Sequence, residues 1–209
     1  MRVNGLNVRE LILMFLPVAI LQYPFYYSNE HDYLNYGSIG SVIGHELTHS
    51  FDNNGRLVDA NGKENNWWTE NDDKEFNEFS QCFIDQYSAF KINDQFVDGE
   101  RTLDENIADN GGISRSYEAW KLTLEKNPKK ASHQNKKLPG LSQFTFDQLF
   151  YISFAQHYCS IENDDAFRNP HSPAKARINL SLSNSKVFAE VFNCPTNSPM
   201  NPQNKCEIW

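Results

Sequence analysis

Apolar residues recur at every third or fourth position over residues 38–51. Ile39, Val42, Ile43 and Leu47 mark one face of a predicted helix, turned toward a core. Gly40 and Gly44 weaken that helix by about 1 kcal/mol each, so packing has to hold it. Thr69, with Asp72 three positions on, has the form of a helix start, and the helix runs to about residue 90. A third helix is predicted over about 102–124 and a fourth, strongly apolar, over 145–160. Residues 1–27 differ: apolar runs broken by Pro17 and Pro24, with Tyr23, Phe25, Tyr26 and Tyr27 between, predict extended chain. Loops are predicted over 52–66, ahead of Gly99, and in the basic stretch EKNPKKASHQNKK. The tail from Asn169, rich in Pro, Asn and Ser, predicts at most a short helix over 187–192. The expected class is mainly α with a small β component.

Composition narrows the picture. A chain of 209 residues with 39% hydrophobic and 13% aromatic side chains suits one domain with a sizeable core. A formal charge of -8 argues against nucleic acid as a partner. The acidic run over 70–78 is expected to be a solvated helix face. The run LILMFLPVAIL over 11–21 is too short, and interrupted by Pro17, to cross a bilayer as a helix. After Arg2 and Arg9 it has the look of a leader peptide, but no small-residue cleavage site follows; the other reading is a buried strand. Asn179-Leu180-Ser181 is a glycosylation sequon. None of Cys82, Cys159, Cys194 and Cys206 forms a Cys-x-x-Cys pair, so a cysteine zinc site is not indicated; the even count fits an oxidising compartment.

The chemistry is concentrated in GHELTHSFD. His45 and His49, four apart, stack on one helix face and can give two nitrogens to one ion. Glu46 lies about 100° round the helix from His45, placed to act as a base without binding the metal. This is a zinc-peptidase arrangement, but it needs a third protein ligand. A third histidine six residues after the second, the metzincin pattern, is excluded because that position is Gly55. TLDENIADNGG offers Glu105 as the ligand instead, with Asp109 four residues on to hold the back of a ligand histidine. Asp52 is a candidate for the same task on the other histidine. The competing reading is a structural helix bundle carrying the motif by chance.

The ordered set SVIGHELTHSFDNNGR, WWT, ENIADNGG, LPGL, FAQ, HSP with Arg177, MNP and a final KC..W resembles the neprilysin/endothelin-converting-enzyme family of zinc metallopeptidases, peptidase family M13. The resemblance runs nearly end to end and covers that family's C-terminal catalytic portion. It implies a thermolysin-like zincin (gluzincin) domain, truncated at the N-terminus, and one Zn2+ per chain held by His45, His49 and Glu105. It implies cleavage of small to medium peptides on the amino side of hydrophobic residues. It assigns His171 and Arg177 to the oxyanion, Asn4 to the substrate backbone, and Ile20, Phe25, Val42, His157 and Tyr158 to the pocket for the side chain after the cut bond.

On this resemblance residues 1–37 are the substrate-edge strand and pocket segment, 38–125 the zinc-binding helices, and 126–209 the transition-state and C-terminal segment of one domain. Pro17 then aligns inside the domain, so 11–21 is expected to be an internal strand. Cys82 and Cys206 resemble a bridged pair, worth about 4–5 kcal/mol in the chain-entropy model. Cys159 and Cys194 resemble residues bridged to an N-terminal half that would be the partner of this portion. A type II membrane protein with an extracellular or cell-surface ectodomain is implied, and a homodimer is left open.

Several positions depart from the family's pattern. Gly5 and Leu6 stand for alanine and an aromatic, which predicts a looser strand. Ser50 stands for a small residue, with little effect expected. His157-Tyr158 stands for Val-Trp, which predicts a more polar pocket. Glu207 stands where neprilysin has an arginine, which is read as favouring endopeptidase activity. The alternative function is a truncated, non-catalytic fragment or decoy.

Overall fold

The computed structural model describes residues 3–28 and 31–208. It opens with a hairpin, β1 (Leu6–Val8) against β2 (Leu13–Phe15), antiparallel with Asn7 opposite Met14. Ile12 closes the connecting turn in the left-handed region, at φ 49°. A continuous helical stretch follows: α1 (Asp32–Asn35), a π turn (Tyr36–Gly40) and α2 (Ser41–Thr48), ending in a 3-10 turn (His49–Phe51). Then come α3 (Glu70–Ser88), a two-residue hairpin of β3 (Lys91–Ile92) and β4 (Gln95–Phe96), and α4 (Leu103–Lys126). The chain closes with α5 (Pro128–Gln134), α6 (Phe146–Gln156), α7 (Ala174–Asn184) and α8 (Lys186–Val191). The expected mainly helical fold with a small strand content is what forms.

The cap predicted for α3 forms, and α6 carries one as well. Thr69 accepts from the Asp72 amide, and Glu70, Asp72 and Asp73 fill the first turn of α3, where the helix dipole favours them. Thr145 and Gln148 form a capping box on α6. The acidic run of α3 is exposed except at Phe76, which is buried, and Asp73, which is half-buried.

The long α4 carries the architecture. On one side it packs with α3 and α7 around Phe76, Phe83, Tyr87, Ile107, Ala176 and Leu180. On the other it packs with α1, α6 and α8 around Tyr33, Ile113, Trp120, Phe150, Phe154 and Phe188. Cys82 of α3 is bridged to Cys206, which ties the C-terminal segment to this core. Cys159 is free and exposed, and Cys194 is free and half-buried.

Helix α2 lies against α4 at backbone contact. A Cβ on Gly44 would stand 2.6 Å from the Gly112 carbonyl oxygen, and one on Gly112 2.8 Å from the His45 amide nitrogen. Only glycine permits this approach. It also corrects the expected orientation of the helix in part. Ile39 is buried as expected and Val42 half-buried, but Ile43 and Leu47 are exposed, and the face turned toward α4 is Ser41, Gly44, His45 and Thr48. That contact is made by small and polar groups, which apolar spacing does not mark.

Three further expectations are corrected. Residues 11–21 are not a buried strand: only Leu13–Phe15 is extended, Val18–Ile20 is a 3-10 turn, and of the apolar residues Ile20 alone is buried, Val18 being 84% exposed. The basic stretch taken as loop contains α5, which starts with proline at its first turn and buries only Ala131, so it has no apolar stripe to read. The polar tail contains α7. It buries Ala176, Leu180 and Leu182 together with Ser181, Ser183 and Asn184, and Asn184 exchanges bonds with Gln86 and donates to Asn110 at 3.0 Å. The sequon residue Asn179 sits half-buried within this helix, its amide donating to the Lys175 carbonyl. No helix among the described residues is long and apolar enough to cross a membrane.

Candidate active site

Helix α2 supplies His45, Glu46 and the start of the turn holding His49; α4 supplies Glu105 and Asp109 one turn apart. The glycine contact brings these two ligand-bearing faces together. His45 Nε2 lies 3.0 Å from His49 Nε2 and 3.2 Å from Glu105 Oε2, and His49 Nε2 lies 3.5 Å from the same oxygen. These three side chains form a group able to hold a metal ion. Tetrahedral zinc with bonds of about 2.0–2.1 Å sets its ligand atoms about 3.3 Å apart, so the spacing fits.

Glu105 Oε2 supports the same fit. It is buried and no imidazole N–H is aligned to bond it, although three ring nitrogens surround it. Burial opposes its charge, but the neighbouring His171, His45 and His49 outweigh that and hold its carboxyl well below the usual range.

Each ligand histidine is held from behind. His45 Nδ1 donates to Asp109 Oδ1 at 2.9 Å and His49 Nδ1 to Asp52 Oδ2 at 2.7 Å. A carboxylate can only accept here, so both rings keep Nε2 for the centre. Asp109 is fully buried and gripped by Arg177 through Nε and Nη2, each at 2.7 Å, and Tyr158 Oη donates to it at 3.2 Å. Burial opposes its charge too, but the Arg177 guanidinium keeps its carboxyl ionised far below the ordinary value.

Glu46 faces the cleft beneath the β1 segment. A Cβ on Gly5 would stand 2.6 Å from Glu46 Oε1, so glycine lets the chain just before β1 lie directly over this carboxylate. Burial pushes the Glu46 carboxyl up. A cleft of about 740 Å³ joins Asn4, Gly5, His45, Glu46, His49, Glu105 and His171. His171 Nε2 reaches Glu105 Oε2 at 3.0 Å, and Asn169 Oδ1 accepts from its Nδ1 at 2.9 Å.

Ile20 is fully buried, Val42 is half-buried, and Phe25 packs on the His157 ring at 5.5 Å. A cavity of about 300 Å³ beside the cleft is lined by two of the residues expected at the pocket, His157 and Tyr158, with Asn4, Glu162, His171 and Arg177. Ile20, Phe25 and Val42 line neither space. Glu207 is elsewhere. It pairs with Lys186 at 2.7 Å beside the Cys206 bridge, in a cavity that contains none of the metal-binding group, so it gives no support to the endopeptidase reading. Sequence reasoning missed Asn169, which orients His171, and Arg9, which reaches Asp52; neither carries a motif signal.

His157 borders that cavity, yet its Nδ1 is sealed off without a partner. Burial, and then the Arg177 charge, push its pKa down from 6.5 to about 3. The unfolded chain binds a proton as pH falls through about 6.5, while the folded chain stays neutral to about 3. Stability is therefore full above the upper value and declines across that interval, by about 2 kcal/mol at pH 5. His157→Gln is expected to flatten the fall in Tm between pH 7 and pH 5; equal slopes in the two proteins would contradict this.

The sequence profile of peptidase family M13 matches residues 7–208. This chain belongs to peptidase family M13. It is 43% identical over 198 residues to endothelin-converting enzyme 1 of Mus musculus, covering 92% of this chain and 25% of that protein. Neprilysin-3 of Drosophila melanogaster is 46% identical with the same coverage. The chain thus spans about a quarter of the length of these relatives. Among solved structures, a zinc metalloprotease of Mycobacterium tuberculosis, in complex with inhibitor, superposes with a TM-score of 0.88 at 31% identity, covering 99% of this chain and 32% of that one. A Haemonchus galactose-containing glycoprotein complex gives a TM-score of 0.89 at 34% identity, covering 99% and 35%. The M13 relatives, with the geometry above, support the gluzincin-like fold.

Proposed function

We propose that this chain is the catalytic portion of a zinc-dependent metalloendopeptidase. The observation that carries the reading is the convergence of His45 Nε2, His49 Nε2 and the unbonded Glu105 Oε2 within 3.5 Å of one another, beside the buried carboxylate of Glu46. Zinc bound there would supply Lewis-acid polarisation of a carbonyl and an activated water. The remaining work falls to the chain's own groups. Asn4 and the edge of β1 hold the peptide backbone alongside the cleft, as an added strand would be held. Glu46, whose carboxyl burial makes more basic, accepts a proton and returns it to the departing amine. His171 stands at the cleft wall as a donor for the developing oxyanion. Arg177 has Nε and Nη2 committed to Asp109, which leaves Nη1 for the same task.

Substrates are peptides of small to medium size, cut on the amino side of hydrophobic residues. The cavity beside His171 takes the side chain after the cut bond, and its polar lining weakens that preference by about 1–2 kcal/mol. We read the single catalytic domain as spanning 1–209 and belonging to a cell-surface or extracellular enzyme.

A second reading, a non-catalytic fragment, is favoured by one observation. Leu11, Ile12, Leu13, Phe15 and Val18, all within eight positions of the chain, are exposed, and Phe15 lines the cleft; exposed apolar surface of this kind marks an interaction site.

One experiment separates the two. Zinc content and cleavage of a quenched peptide library are measured before chelation, after it, and after zinc is restored. The peptidase reading expects about one zinc per chain and turnover that is lost and regained with it. Zinc without turnover supports the fragment reading, and no zinc uptake overturns the metal centre.

A further inference from the structure

The two ligand histidines are held alike, by an aspartate that is itself held by an arginine. Behind His45 stand Asp109 and Arg177. Behind His49 stands Asp52, whose Oδ2 accepts from His49 Nδ1 and from Arg9 Nη2, each at 2.7 Å. Its Oδ1 accepts the backbone amides of Asn54 at 3.0 Å and Gly55 at 2.6 Å. Asp52 is completely buried, and a carboxylate taken out of water needs a cation or full hydrogen bonding to stay charged. With two donors on each oxygen it has no freedom to rotate, and the His49 ring inherits that direction.

Arg9 comes from far away in sequence, in the turn between β1 and β2. Its guanidinium also lies 3.9 Å from Asp104, which precedes the ligand Glu105. Two other contacts hold the same hairpin in place. Asn7 donates to the Glu46 carbonyl at 2.6 Å and to Ser50 Oγ at 3.0 Å. At the hairpin tip, a Cβ on Gly62 would stand 2.0 Å from the Glu10 carbonyl oxygen, so the loop carrying Gly62 is seated against the turn.

We propose that Arg9 is a positioning residue for the metal centre. It fixes Asp52 behind His49 and locks the hairpin bordering the cleft to the helix bearing the ligands. The inference rests on the zinc-peptidase reading above. Its ligand is zinc, acting through His49, and its effect is on affinity for that ion.

The test measures zinc affinity of the whole chain by competition with a chromophoric chelator, for the parent, Arg9→Met and Arg9→Lys. The Tm of each metal-free form is recorded alongside. Losing a partner of a ligand histidine typically weakens metal binding 10–100-fold; Arg9 acts one step further out, so Arg9→Met is expected to raise the zinc Kd about tenfold. Arg9→Lys keeps the charge but not the planar fork, and an intermediate rise is expected. A purely structural role would lower the metal-free Tm and leave the zinc Kd of the folded protein unchanged. Kd values within about twofold of the parent in both variants overturn the inference. If Arg9→Met does not fold, Arg9→Lys decides by the same criterion. A parent that takes up no zinc overturns the metal centre, and this inference with it; a parent that binds zinc beside indifferent variants overturns this inference alone.

Discussion

Glu46→Gln is expected to bind zinc as the parent does and to lose roughly 10³-fold in kcat, within the range that general acid–base catalysis supplies. The substitution isolates one property. Glutamine has the shape of glutamate, so it fills the space beneath Gly5, where the gap to Oε1 leaves no room for even a methyl group. The bond from Asn7 goes to the main-chain carbonyl of residue 46 and survives the change. What disappears is the ability to accept a proton. The charge lost is one that burial disfavours, so the metal-free Tm should hold or rise slightly. Zinc titration, thermal melts and steady-state kinetics together check this. Cleavage within about tenfold of the parent would assign the base to another group.

Asp109→Ala is expected to give the largest loss of stability among single changes at the site. The carboxylate is the acceptor for both bonds from Arg177, for Tyr158 Oη and for His45 Nδ1. Its removal leaves the guanidinium, itself only 16% exposed, without a counter-charge. Stranding one member of a buried ion pair costs about 3–5 kcal/mol, which for a domain of this size lowers Tm by on the order of 10 °C. Zinc affinity should fall about 10–100-fold as the His45 ring loses its anchor. The double variant Asp109→Ala/Arg177→Met should recover part of the lost Tm and none of the zinc affinity, because it removes the stranded charge but not the vacancy behind His45. Melts and chelator competition on both proteins check this. Failure of the second change to restore Tm would mean that the pair is not what Asp109 stabilises.

The metal-binding group was legible because its residues are chemically unusual and their spacing is helical. His45, His49, Glu105, Asp109 and Asp52 could be placed from i, i+4 geometry and ligand chemistry before any contact was known. Helix α3 was legible from the capping signal at its start, and α4 was placed to within about two residues of its observed ends. Elements whose buried residues mix apolar with polar were not. Helix α7 places Ala176, Leu180 and Leu182 in the cores but buries Ser181, Ser183 and Asn184 beside them, and α5 contributes only Ala131 and the turn in which Asn135 accepts the Trp120 indole N–H, so neither shows a clean apolar stripe. The orientation of α2 was only partly legible, because its face toward α4 is built from small and polar groups. Arg9 was invisible because its partner is 43 positions away and no local pattern links them.

The Gly44–Gly112 contact has a consequence for how the centre can adjust to an ion. Ligand atoms carried on long side chains over loosely packed helices can spread or close to suit different radii. Here the two supports touch through their peptide groups, with no side chain between them to yield. With zinc bound as proposed, adjustment to the ion would be left to the side-chain torsions of His45, His49 and Glu105, because the supports beneath them cannot approach or part without moving peptide groups. A Gly44→Ala or Gly112→Ala change would therefore act on the metal site from a distance, by prising its two supports apart.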